Sequence, residues 1–182
     1  MFKKKFKLVT QLFVILILLL VISTFTSIAK TYVVLGTGGT SGTYFPIGGG
    51  MAEILNKYLP DVEATAEVTG ASIENSRLEG LNEMQFAQAD SISIYKAYHG
   101  EEPFKEKMNI LSVFNMHPSV IQFVVMRASG IKTIEDFKGK KVIIGPPGGG
   151  THVSASYVLE AHGLSEDNFS PMYLTFSEGV ST

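Results

Sequence analysis

Two glycine-rich stretches constrain this chain more than any other feature: Gly36-Thr37-Gly38-Gly39-Thr40-Ser41-Gly42-Thr43 and Pro146-Pro147-Gly148-Gly149-Gly150-Thr151. Each follows a short β-branched apolar run, over 31–36 and over 141–145, and each precedes apolar residues at helical spacing. Strand, glycine loop and helix form the repeating unit of an α/β fold. Free backbone N–H groups and the positive end of the helix dipole favour an anion there, and glycine lets the ligand approach the backbone. In open α/β sheets such loops sit at the carboxyl ends of strands, the ligand edge, so the pair predicts two walls of one cleft. Hydroxyls interleave with glycines over 38–43, which favours a ligand role, and Tyr44 beside them is placed to wall a site. Gly48, Gly49 and Gly50 read instead as close packing of a helix on its sheet.

The rest of the chain continues the same alternation. Apolar residues at Ile47, Met51, Ile54, Leu55, Tyr58 and Leu59 predict a helix that Leu59-Pro60 ends. Val62, Ala64, Ala66 and Val68 alternate with polar residues as a strand, and Thr69-Gly70-Ala71-Ser72 turns into a short helix reaching Leu78. A third strand is predicted over 84–89, then a helix through Tyr98 with Asp90 or Ser91 as its N-cap and His99-Gly100 as its close. Two apolar runs, 109–116 and 120–127, flank His117-Pro118-Ser119 and read as strands, being short and rich in Val, Ile and Phe. Thr133 opens a short helix that Gly139 stops. After the strand at 141–145 comes a helix whose core face would use Val153, Tyr157, Val158 and Ala161, stopped by Gly163. A last strand falls at 172–176, followed by a loop or helix start.

Several chemistries are disfavoured. With 15 basic and 17 acidic side chains and no basic tract past residue 30, nucleic acid is not an expected partner. No cysteine is present, so disulfides, thiolate metal sites and cysteine nucleophiles are absent. The histidines, at 99, 117, 152 and 162, have no ligand spacing, and no metal or cofactor is expected. Neither loop carries Gly-Lys-Ser/Thr, and Ser41 stands where a dinucleotide fingerprint wants glycine. Ser41, Ser72 and Ser154 lie in no G-x-S-x-G elbow, which disfavours an exported hydrolase built on Ser41 or His152.

The first residues have the layout of an export signal. Lys3, Lys4, Lys5 and Lys7 precede eleven unbroken apolar residues, 12–22, and small residues Ser27 and Ala29 precede an expected cleavage at Lys30. Even 8–22 is only fifteen residues, short of the roughly 20 that span a bilayer as helix. Residues 1–29 are therefore read as a signal peptide. The remainder, with 11 basic against 17 acidic residues and a charge of −6, is expected to be soluble outside the cytoplasm, in a periplasm where there is one.

These residues resemble the TAXI-type solute receptors of tripartite ATP-independent periplasmic (TRAP) transporters across nearly all of 30–182. The likeness rests on G-T-G-G-T-S-G-T-Y-F-P-I-G-G (36–49), A-T-A-E-V-T-G-A-S-I-E-N-S-R-L (64–78) and Q-A-D (88–90). It continues in I-K-T-I-E-D-F-K-G-K-K-V (131–142), G-P-P-G-G-G-T (145–151) and Y-L-T-F-S-E (173–178). The resemblance implies an α/β, type II periplasmic-binding-protein fold, two lobes with a hinge, divided as 30–118 and a partial second lobe 119–182. It also implies a non-catalytic receptor that captures a small carboxylate, glutamate-like, glutamine-like or a dicarboxylate, for a TRAP membrane permease. By matching positions, Gly38, Gly39, Thr40, Ser41, Gly42, Thr43, Tyr44, Ser72, Asn75, Gln88, Asp90 and Ser91 would line the first lobe's side of the cleft. Gly148, Gly149, Gly150, Thr151 and His152 would face them. Arg77 is within reach of a ligand carboxylate or lies on the surface. Such receptors run well beyond this length, so the chain is expected to be a C-terminally truncated receptor, and Gly148-Gly149-Gly150 lacks the serine common in the second loop. The alternatives are a receptor of the same fold serving an ABC importer of sulfonate-like or other anions, and a non-functional fragment.

Overall fold

In a computed structural model, the described residues are 29–182 together with Lys7, Thr10, Gln11 and Phe13–Ile15, these last being helical. Met1–Thr31 forms one unit and Tyr32–Thr182 another. The export-signal reading falls almost wholly outside the described residues. Among the described residues no helix is long and apolar enough to cross a membrane.

Strand β1 (Thr31–Gly36) buries Val33 and Leu35, the alternation expected of a sheet covered on one face. Helix α1 (Tyr44–Tyr58) crosses to β2 (Val62–Glu67) and lays Ala52, Met51 and Leu55 on Val33, Leu35 and Ala64. Each buried Val or Leu contributes about 1.5–3 kcal/mol. Only Gly48 of the glycines in the first half of α1 is tightly packed: a Cβ there would stand 2.4 Å from Thr37 Cγ2, whereas Gly49 and Gly50 meet nothing within 4 Å. The outer edge of β2 is closed by a side chain, since Asn56 Nδ2 donates to Ala64 O at 2.9 Å and Ala64 N–H donates to Asn56 Oδ1 at 2.7 Å.

Helix α2 (Ser72–Gly80) leads to the short β3 (Phe86–Ala87), which pairs parallel with β1 and completes the order β2-β1-β3. Helix α3 (Ser91–His99) follows. Asp90 caps it as expected, its Oδ1 accepting from Ile92 N and Ser93 N at 3.0 Å each, and Gly100 ends it in the left-handed conformation. Ile73, Ala97, Phe104 and Ile110 pack together, joined by Val153.

The strands expected at 109–116 and 120–127 do not form. From 109 to 126 the backbone is irregular, and Leu111, Val113, Phe114, Val120, Val124 and Met126 are exposed. A strand needs a ladder partner, and among the described residues none pairs with this segment. The second half is a smaller α/β unit. β4 (Lys141–Ile143) pairs parallel with β5 (Ser170–Met172), and α4 (Gly150–Ala161) crosses between them, over a core of Phe137, Ile144, Ala155, Leu159, Leu164 and Phe169. The buried face of α4 is Ala155 and Leu159; Tyr157 and Ala161 are exposed, and Tyr157 lies under the Lys96 ammonium instead. The short helix before β4 is a single 3-10 turn, Glu135–Phe137, and α5 (Phe176–Ser181) starts at the capping residue Thr175.

Candidate functional site

Three loops leave the carboxyl ends of β1, β2 and β3, and one buried side chain ties them together. Asn75, fully buried on α2, donates from Nδ2 to Thr37 O and to Gln88 O at 2.7 Å each, and its Oδ1 accepts from Thr69 Oγ1 at 2.7 Å. Thr37, also buried, donates its N–H and its hydroxyl to Glu67 O. Gly70 N–H donates to Glu74 Oε2 at 2.6 Å, and Ala71, at φ 74°, enters α2 from a backbone region that glycine favours. The sequence did not single out Thr37, Thr69 or Glu74; the signal of the first two was only their place beside glycines, and Glu74 had none of its own.

On this frame Tyr44 sits among Ser72, Gln88 and His117. Its hydroxyl lies 3.5 Å from Ser72 Oγ, its carbonyl accepts from Gln88 Nε2 at 2.7 Å, and its ring centroid is 6.1 Å from that of His117. Burial pushes the Tyr44 hydroxyl above its ordinary range, the Ser72 hydrogen bond opposes this, and the Asp90 charge adds to it. The phenol is therefore a proton donor at neutral pH. Two buried polar atoms, Gln88 Oε1 and His117 Nε2, have no hydrogen-bond partner among the described residues. The other ring nitrogen of His117, Nδ1, faces Pro118 O at 3.2 Å. His117 was not expected here.

The second glycine loop meets the first half at this point. Gly148 O accepts from Ile73 N–H at 3.0 Å and Glu74 N–H at 3.3 Å. A Cβ on Gly149 would stand 3.3 Å from Gly70 O, and one on Gly150 would stand 1.8 Å from Asp90 Oδ2 and 2.8 Å from Ser72 Oγ. Phe176 reaches the first loop, its Cε2 lying 3.8 Å from a Cβ on Gly42. Tyr44, Ser72, Gln88, Asp90, Gly148, Gly149 and Gly150 are thus gathered, with Gly38 close to Ala71 and Tyr44. A Cβ on Gly39 would meet nothing within 4 Å, its carbonyl accepts from Gly42 N–H at 2.9 Å, and Thr40, Ser41, Thr43, Ser91 and Thr151 are exposed. His152 Nε2 is held by Glu166 Oε1 at 2.6 Å, and Tyr173 donates to the other oxygen of Glu166 at 2.5 Å. Arg77 lies over the Phe104 ring. Among the described residues no group of His, Asp and Glu is arranged to hold a metal ion.

Parallel strands joined by crossover helices, with glycine loops at the strands' carboxyl ends, define the chain as an α/β protein. The chain belongs to the NMT1-like family, which it matches over residues 35–182. Among solved structures it is similar to the alkanesulfonate-binding protein SsuA from Xanthomonas axonopodis pv. citri bound to MOPS, at 17% identity and a TM-score of 0.54. The match covers 84% of this chain and 51% of that one, so the chain spans about half of its structural relative.

Proposed function

We propose that this chain is part of an exported, extracytoplasmic solute receptor. In this reading it captures a small carboxylate, glutamate-like, glutamine-like or a dicarboxylate, for a TRAP-type permease, and catalyses nothing. The observation that carries the reading is the convergence of Tyr44 Oη, Ser72 Oγ and the start of α2 with the second glycine loop, at the carboxyl ends of both parallel sheets. Backbone N–H groups and hydroxyls bind a carboxylate without arginine. Asp90 places a carboxylate beside these donors, and Gln88 Oε1 adds an unpartnered acceptor and His117 Nε2 an unpartnered ring nitrogen around Tyr44. That favours a solute carrying N–H donors next to its acid group over a plain dianion, because a bare anion would be repelled by Asp90. Lobes 30–118 and 119–182 would close on it, contact with both favouring the closed state.

A second reading, a receptor for an ABC importer of another small anion, is favoured by the likeness to a protein bound to MOPS. Calorimetry with L-glutamate, L-glutamine, succinate and MOPS separates the two. Binding of an amino acid, weakened about tenfold by Tyr44→Phe and by Ser72→Ala, supports the first. Binding of MOPS alone supports the second, and no heat with any of the four removes both.

A further inference from the structure

The donors best placed to hold an anion are already in use. The first N–H groups of a helix have no partner within it, and in α2 those of Ile73 and Glu74 are both taken by Gly148 O, at 3.0 and 3.3 Å. Gly148 turns at φ 78°, which sets its carbonyl in that position. The two following glycines sit in close contact: a Cβ on Gly149 would stand 3.1 Å from Pro146 O and 3.3 Å from Gly70 O, so that these must give by a few tenths of an ångström, whereas one on Gly150 has no room, at 1.8 Å from Asp90 Oδ2 and 2.8 Å from Ser72 Oγ. The contact is continued by Val153, which packs with Ile73 and Ala97. A run of three glycines in the second loop is thus fitted to the first half of the protein and not to open space.

We infer that the second glycine loop is an internal plug, with the Gly148 carbonyl standing in for a solute's acid group at the start of α2, and that an anion binds there only by displacing it. A carbonyl carries partial negative charge and suits the helix dipole without the repulsion that Asp90 and Glu74 exert on a full anion. The plug therefore raises the threshold for weak, unspecific anions and holds the two glycine loops together when no solute is bound. This rests on the reading of α2's start as a solute contact, and part of its test needs no solute.

Amide hydrogen exchange on the full chain, followed by NMR, gives that part. In the solute-free protein Ile73 and Glu74 should be protected as Ile92 and Ser93 are, whose N–H groups Asp90 caps. Gly149→Ala and Gly150→Ala both keep negative φ and add only a methyl group. Each should speed exchange at Ile73 and Glu74 by about tenfold or more while leaving Ile144, bonded to Met172 O, unchanged. Sulfate, titrated while the same two amides are watched, should bind both variants about tenfold more tightly than the unaltered chain. Unprotected Ile73 and Glu74 in the unaltered chain, or exchange unmoved in both variants, overturns the plug. Sulfate binding that is absent, equal or weaker in the variants overturns the competition. Should Gly150→Ala fail to fold, Gly149→Ala, whose nearest clash is 3.1 Å, decides alone.

Discussion

Asn75 shows how much one buried amide can organise. Three of its hydrogen-bonding positions are used, each on a different loop, and its own exposure is nil. Asn75→Ala would leave Gln88 O buried without its donor, at roughly 1–3 kcal/mol, while Thr37 O keeps Thr69 Oγ1 at 3.1 Å. Urea unfolding of the variant should show a loss of about 2 kcal/mol with little change in slope, whereas Asn75→Asp, which keeps the shape but loses the donors, should fare no better. That position was legible in the sequence as part of the A-S-I-E-N segment, but its work was not. The partners of its amide lie 38 and 13 residues away, and no local pattern encodes which carbonyls a side chain will reach. Ser72 and Gln88 were likewise visible only through the resemblance, in A-S-I-E-N and Q-A-D, while Gly148 O, a backbone atom, left no signature that distinguishes it from its neighbours.

At the level of elements, the strand-loop-helix units at 31–58 and 62–80 could be read directly because their signals are local: alternation, glycines, a proline stop. The face of α4 was misplaced because it touches two neighbours, Ala155 and Leu159 on its own sheet and Val153 on α3, so its apolar residues follow no single stripe. The start of α4 is held by a second small network. Glu166 accepts from Tyr173 and pairs with His152, and the Tyr173 hydroxyl first, then His152, holds its carboxyl below the ordinary value of 4.5. A depressed carboxylate pKa stabilises the folded state above the unfolded value and loses that contribution as pH falls through the folded one. The melting temperature of Glu166→Gln should therefore lie below that of the unaltered chain at pH 7, and the gap should shrink as pH falls below 4.5 and close once it has passed the lower folded value. Because Glu166 is partly exposed, the gap at pH 7 is expected to be small.

For the molecule as a whole, the segment from 109 to 126 touches the packed clusters at few points: Ile110, its one buried residue, joins one of them, and the Phe123 ring lies 5.9 Å from that of Phe137 in another. Its pattern reads as strand, and no ladder among the described residues takes up its backbone N–H and C=O groups. Brief digestion with thermolysin should cut first between 111 and 126, before any bond inside β1, α1 or α4 is touched; first cuts elsewhere would mean the segment is held by contacts of its own. The same stretch contains no Asp, Glu, Lys or Arg from Asn109 to Met126. An uncharged, β-prone ribbon open to solvent is the kind of edge that finds another copy of itself. Such encounters are bimolecular, so the loss of monomer through this ribbon rises with the square of concentration: negligible in a dilute compartment, and the limit on how far the protein can be concentrated in the tube.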